Sequence, residues 1–273
     1  MSYQDSYDRP QMQLAMPRLT PVVKVLMIAN AVVHLVKYLV YMVDRDFEPV
    51  FVKFLGLNPE WWSNLWFPVW QLVTYAFVHQ DLWHLFFNML QLYFFGTMLE
   101  SIVGSRRFAV FYTAAFLIGG VLHLVAELTW GAGAIAIGAS GATVAVMIAM
   151  AVLRPKTMVI VLFIPVQLWI LSLVIVGMDV MRLLDDARGY NEMGGIAYMV
   201  HLGGAGFGYL AVKKSWIWKD PIEARARKRD VEVTVRVQRD DQRMDELLAK
   251  IHREGMNGLS RQEKEFLKRM SKR

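Results

Sequence analysis

The feature that most limits what this chain can fold into is a set of long apolar runs. Six stretches, Val22–Val43, Leu82–Leu99, Phe108–Thr129, Ser140–Leu153, Met158–Val176 and Gly194–Val212, are dominated by Ala, Val, Leu, Ile, Met, Phe and Gly. About 20 helical residues cross a bilayer, and backbone groups in hydrocarbon must be satisfied inside the segment, as a helix does. The pattern predicts an all-α membrane protein with six transmembrane helices. Two runs depart from the ideal. Ser140–Leu153 is short for a full crossing, so the approach from Trp130 through 131–139 is expected to dip into the membrane, shielded by protein. Met158–Val176 is interrupted by Pro165. Within the first run, Lys24 can snorkel at the start, but His34 and Lys37 fall inside it.

The connections set the topology. Those at 100–107, 154–156 and 213–219 carry Arg106, Arg107, Arg154, Lys156, Lys213, Lys214 and Lys219. Those at 44–69 and 179–194 each hold two basic and four acidic residues, and 130–139 is uncharged. Basic loops stay inside, so both termini of this multi-pass protein are expected in the cytosol, with Ser140 near the outer side; the membrane expected is the bacterial inner membrane. Residues 1–20 form a polar, disordered leader with no signal-peptide core. Phe54, Trp61, Trp62, Trp66 and Phe67 suit the 44–69 segment to the headgroup layer.

The membrane domain is thus expected over 21–212, a charged linker over 213–242 and a cytosolic helical hairpin over 243–273. The hairpin's apolar stripes are Met244, Leu247, Leu248 and Ile251, then Phe266, Leu267 and Met270, the second helix opened by a Ser260–Glu263 capping box. It would either dock a cytosolic partner or lie solvated near anionic lipid. Residues 213–273 have a net charge of +7 and the rest −1, so the chain's +6 belongs to the tail and does not argue for nucleic-acid binding. The absence of cysteine excludes disulfides, thiolate nucleophiles and Cys-ligated zinc.

Polar groups at membrane depth each need a reason. Gly138-Ala139-Ser140-Gly141 offers a hydroxyl flanked by small residues, which on its own also fits a packing seam. His84 and Asn88 lie one turn apart on one helical face and could equally bond neighbouring helices. His201 precedes Gly204 and Gly208, a G-x-x-x-G face that fits Gly141 and Ala145 of the fourth span and would bring the imidazole to Ser140. Together these can perform acyl transfer: His201 as base, Ser140 as nucleophile, the Ser140 N–H with His84 and Asn88 at the oxyanion. No third triad member stands out. Glu127, four residues after His123, suits a structural contact, so a dyad is expected, with Ser140 Oγ within about 3.5 Å of His201 Nε2.

The chain resembles the rhomboid family of intramembrane serine proteases. The matching stretches are Trp70-Gln71-Leu72-Val73-Thr74 followed by His79, His84 and Asn88; Gly96 to Phe108; Gly138 to Gly141; and His201 to Gly208. The resemblance covers about residues 20–212. It implies a six-helix bundle with a water-filled cavity, Ser140 as nucleophile, His201 as base, His84 and Asn88 at the oxyanion, a structural His79 and a half-inserted 44–69 loop. It implies single-span membrane proteins as substrates, cut near the outer surface at small side chains next to a destabilised helix. No cofactor or metal is expected. Two positions depart from some bacterial members: Gln71 stands in place of Arg, and Val144 in place of a Tyr that stacks on the histidine. The alternatives are a catalytically silent binder of membrane helices, a transporter, which lacks the inverted repeats it needs, and a metalloprotease, which lacks H-E-x-x-H.

Overall fold

The computed structural model describes residues 17–64, 67–129, 133–161, 163–188, 198–219 and 221–271. Most of the expected leader, Trp66, the Trp130–Ala132 approach and the opening at Gly194 lie outside the described residues. The chain divides into two compact units, Met1–Lys219 and Asp220–Arg273.

The first unit begins with α1 (Pro21–Val43), which starts at a proline, where the missing N–H costs nothing. The N–H groups of Val22 and Val23 donate to the Glu100 carboxylate at 3.0 Å each, and Thr20 and Ser105 hydroxyls donate to it as well. The buried Glu100 thus caps α1 from another part of the chain and satisfies donors the helix cannot. Short helices α2 (Glu48–Leu55), α3 (Pro59–Ser63) and α4 (Gln71–Thr74) follow. Next come α5 (Leu82–Gln91), a wider π turn at Leu92–Gly96, and α6 (Thr97–Val103), which together make up the expected second span. Two long helices close the first half of the site: α7 (Ser105–Thr129) and α8 (Ser140–Leu153).

The expected fifth span is corrected. Residues Met158–Val161 and Ile164–Gln167 form an antiparallel hairpin, β1–β2, with Pro165 opposite Ile160. Proline has no N–H for a helix ladder, and the flanking Val and Ile favour extended backbone. Helix α9 therefore starts only at Leu168 and runs to Ala187, well beyond Val176. The stretch read as a connection from residue 179 onward is, as far as 187, helical.

Helix α10 (Tyr198–Lys213) lies between α7 and α8, and glycines on two of its faces make this possible. A Cβ at Gly204 would sit 2.0 Å from the Gly141 carbonyl oxygen, and one at Gly208 would sit 2.4 Å from that of Ala145. On the other face, a Cβ at Gly203 would sit 3.1 Å from Gly119 Cα. Such backbone-to-backbone approach is how helices associate where lipid removes the hydrophobic drive between them. Helix α8 is buried along almost its whole length. Helix α1 is the opposite: apart from Val23, Asn30 and Lys37 it is largely exposed, with Val25, Ile28, Val32, Leu35 and Leu39 on its surface. An apolar face of that extent is solvated by lipid rather than water. By length and composition, Pro21–Val43 and Ser105–Thr129 are each sufficient to cross a membrane.

The second unit consists of α11 (Pro221–Glu254) and α12 (Arg261–Met270). The 220–242 stretch expected as a linker is helical from Pro221, in keeping with its Ala, Arg, Lys and Glu content. Leu247, Leu259 and Phe266 form its core, packed by Met244, Ile251, Leu267 and Met270.

Candidate active site

Ser140 is the first residue of α8, and the chain reaches it by a backbone route fixed on both sides. Leu57 and Ala136 exchange hydrogen bonds of 2.9 and 3.0 Å, and the Gly138 N–H donates to the Tyr75 carbonyl at 2.8 Å. The Glu127 carboxylate accepts the N–H groups of Gly133 and Ala134, and His123 Nε2 lies 2.9 Å from the Ala134 oxygen. The His123–Glu127 pair is therefore an anchor for the approach loop, and both residues act outside the reacting centre. Gly138 has φ of +112° and touches His84: a Cβ there would lie 2.7 Å from His84 Nε2. Both the left-handed backbone and the space demand glycine.

The structure brings Ser140 and His201 together. Ser140 Oγ lies 2.7 Å from His201 Nε2, across the seam where Gly204 meets Gly141. A third group joins them. His201 Nδ1 lies 3.1 Å from Asp179 Oδ2, and Asp179 is 3% exposed. With Nδ1–H donating to the carboxylate, Nε2 carries the lone pair that can accept the Ser140 proton. Asp179 thus stands third in a Ser140–His201–Asp179 chain of contacts, where only a pair was expected. Hydropathy does not reveal Asp179, because it ends the fifth span at Val176 and leaves the carboxylate in a connection, whereas α9 runs on to Ala187. The signal that could have found it is a carboxylate, Gly177-Met178-Asp179-Val180, set among apolar residues of what is in fact one continuous helix. Arg182 Nη1 approaches the other Asp179 oxygen at 3.6 Å.

His84 and Asn88 face the same space from α5. Asp81 caps that helix by accepting the His84 N–H at 2.8 Å. Asn88 Nδ2 donates to the His84 carbonyl at 2.8 Å, while its Oδ1 lies 3.2 Å from Thr143 Oγ1. Thr143 also reaches Gln91 Oε1 at 2.9 Å. These contacts fix the Asn88 amide with its nitrogen on the His84 side, and that NH2 keeps a second hydrogen for a ligand. His79 is fully buried and serves the frame: its Nε2 faces the Ala139 N–H at 3.5 Å, and its Nδ1 the Phe77 oxygen at 3.3 Å.

Ser140, His201, Asp179, His84 and Asn88 all line one cavity of about 1060 Å³. Val144, one turn after Ser140, forms part of its wall. Gln71 anchors the loop before α3: its Oε1 accepts from the Asn58 N–H (3.1 Å) and Trp62 Nε1 (3.3 Å), and its Nε2 donates to the Lys53 oxygen (3.0 Å). Among the described residues, no group of three or more His, Asp or Glu side chains converges as a metal site would.

A family model described as the rhomboid domain matches residues 67–216, more than half of the chain. The chain belongs to the rhomboid family. Its rhomboid domain is similar to RHOMBOID-like protein 12, mitochondrial, of Arabidopsis thaliana, 34% identical over 51% of this chain and 44% of that protein. It is also similar to the presenilin-associated rhomboid-like protein, mitochondrial, of Rattus norvegicus, 28% identical over 53% of this chain and 38% of that protein. A third relative is rhomboid protein 1, mitochondrial, of Saccharomyces cerevisiae, 29% identical over 58% of this chain and 44% of that protein. The match to this rhomboid thus spans less than half the length of each of these relatives. All three are named as mitochondrial, and they overturn the expected placement in a bacterial inner membrane; loop charge bears on which loops stay inside, not on which membrane holds them. Residues 233–273 match a separate family of unknown function.

Proposed function

We propose that this rhomboid is an intramembrane serine endopeptidase. The observation that carries the reading is the 2.7 Å contact of Ser140 Oγ with His201 Nε2 inside a cavity that also holds His84 and Asn88. His201 takes the Ser140 proton as Oγ attacks the scissile carbonyl. The oxyanion is met by the Ser140 N–H at the start of α8, by His84 Nε2–H and by the free Asn88 N–H. His201 then passes the proton to the leaving amine, and a water entering the cavity hydrolyses the acyl-enzyme by the same route in reverse. Asp179 is a positioning residue that holds the imidazole in the useful tautomer.

The proposed membrane arrangement has six crossings: α1, α5 with α6, α7, α8, α9 and α10. Support comes from the exposed apolar faces of α1 and α9, the latter displaying Trp169, Leu173, Val174 and Met181. The proposed substrates are single-span membrane proteins whose helix unwinds at small residues and enters the cavity from the bilayer. The proposed role of the second unit is to bind a soluble protein. A catalytically silent binder of membrane helices is the weaker reading, since it leaves the Ser140–His201–Asp179 chain without a use.

The test is incubation of the full chain, reconstituted in lipid, with a single-span substrate carrying a helix-breaking segment. Ser140→Ala should remove cleavage, by a factor on the order of 10⁶ for a nucleophile of this type. Cleavage that survives Ser140→Ala would refute the assignment. Deleting 220–273 should leave cleavage intact and abolish capture of the soluble partner.

A further inference from the structure

Lys37 is the one lysine buried in the membrane unit's first helix, and nothing in the mechanism above uses it. It lies in the C-terminal half of α1 with its side chain 8% exposed. Its ammonium meets three oxygens: the His79 carbonyl at 3.0 Å, the Gln80 carbonyl at 2.5 Å and Glu48 Oε1 at 2.9 Å. An ammonium has three N–H donors, and each finds an acceptor. A buried lysine with a complete set of partners is costly to assemble and asks for a reason.

The reason lies in the peptide joining His79 to Gln80. Its carbonyl accepts from Lys37, and its N–H, that of Gln80, points at His84 Nδ1 at 3.5 Å. In a planar trans peptide the C=O and N–H point in opposite directions within the plane, so Lys37 stands at one edge of this peptide and His84 at the opposite edge. A cation on the carbonyl polarises the unit and makes its N–H a better donor. A donor at Nδ1 requires Nδ1 to be the acceptor nitrogen, which leaves the proton on Nε2. Nε2 is the atom beside Gly138, next to Ser140. We infer that Lys37 is a positioning residue for the oxyanion site: through the His79–Gln80 peptide it sets the tautomer of His84, so that Nε2–H faces the reacting oxygen. The inference rests on the protease reading for its consequence, but not for its physical content. Glu48, 29% exposed, neutralises the ammonium from α2 and is not part of the relay.

The test is ¹⁵N NMR of the full chain labelled at histidine and held in lipid nanodiscs, with His84→Gln to assign its signals among the six histidines. Wild-type His84 should carry its proton on Nε2. Lys37→Met should convert it substantially to the Nδ1–H form and lower kcat on the order of tenfold with KM unchanged, the loss of a transition-state contact rather than of binding. Lys37→Arg should restore the Nε2–H form and most of kcat, and Glu48→Gln should leave both near wild type. A wild-type His84 protonated at Nδ1 overturns the proposal without any variant, even if Lys37→Met fails to fold. So does an unchanged tautomer in Lys37→Met, even where kcat falls, or a Glu48→Gln effect as large as that of Lys37→Met. If Ser140→Ala leaves cleavage intact while the tautomer responds to Lys37, the protease reading fails and the relay stands.

Discussion

The seam between α8 and α10 and the core of the C-terminal unit hold helices together by opposite means. At the seam, side chains are removed: Gly204 and Gly208 let the backbone rest on the carbonyls of Gly141 and Ala145. In the C-terminal unit, side chains do the work: Leu247, Leu259 and Phe266 are driven together, and polar caps finish the ends. The difference follows from the solvent. In lipid an apolar side chain gains little by leaving its surroundings, so close contact and polar pairing decide the geometry. In water each buried apolar Å² contributes about 25 cal/mol, and a small core can suffice with help from capping. The seam should therefore be sensitive to added atoms and to lost polar partners, and the C-terminal core to atoms taken away.

The largest effect that sharpens this contrast is on a polar partner. Asp179→Asn keeps the shape but replaces the acceptor at His201 Nδ1 with a group that can present N–H. Cleavage should fall on the order of 1,000-fold with KM little changed, since the wrong imidazole tautomer is favoured. A fall of less than threefold would return the site to a dyad. Next comes an added atom. Gly204→Ala places a methyl where only 2.0 Å is open to the Gly141 oxygen, so α10 must shift and carry His201 with it. A displacement of about 1 Å can lower the rate on the order of 100-fold. Gly206→Ala, on the same helix with nothing within 4 Å, should be neutral. Equal effects of the two substitutions would mean that helix propensity, not contact, is being measured.

Much of this seam was legible in the sequence, because both partners are written in a helical period: Gly204 and Gly208 on one face, Gly141 and Ala145 on the other, with Ser140 and His201 beside them. His84 and Asn88 were visible for the same reason. Asp179 was not, because hydropathy has no means of ending a span correctly where Pro165 converts its beginning into a hairpin. The helix then extends by the residues it lost, and a carboxylate assigned to a loop turns out to be buried. Lys37 was visible only as an irregularity in the first span. What it holds, the His79 and Gln80 carbonyls, is backbone, and backbone partners across 42 and 43 residues leave no pattern in a sequence. The second unit shows the converse. The Ser260–Glu263 pair carries its own local signature, while the helical state of 221–242 is a sum of weak propensities that a charged composition also allows in a linker.

Removing atoms from the second core should have a smaller, local effect. Phe266 is buried between the guanidinium groups of Arg243 and Arg269, at 4.9 and 5.4 Å from its ring. Phe266→Ala should destabilise α11–α12 by about 2 kcal/mol, less than in a large core because so small a one can collapse. Hydrogen exchange should show the loss confined to residues 244–270, with cleavage unchanged. Exchange that also rises in α8 and α10 would mean the two regions do not respond separately.

The smallest effect is electrostatic and belongs to the caps. Glu263 accepts the Ser260 N–H at 2.6 Å and the Lys250 ammonium at 3.1 Å on both oxygens. The backbone bond from Ser260, then the bond from Lys250, hold its carboxyl down at about 2, against an ordinary 4.5. A folded-state pKa below the unfolded one means that the charged form is favoured by folding. This contribution is complete above pH 4.5 and is lost as pH falls toward 2. Protection of α12 amides should therefore decline over that window, and Glu263→Gln should flatten the decline by removing the titrating group. The glycine seam, which holds by contact rather than charge, should lose no protection over the same range. A seam that loosens together with α12 between pH 4.5 and 2 would show that charge, and not closeness of backbone, is what joins α8 to α10.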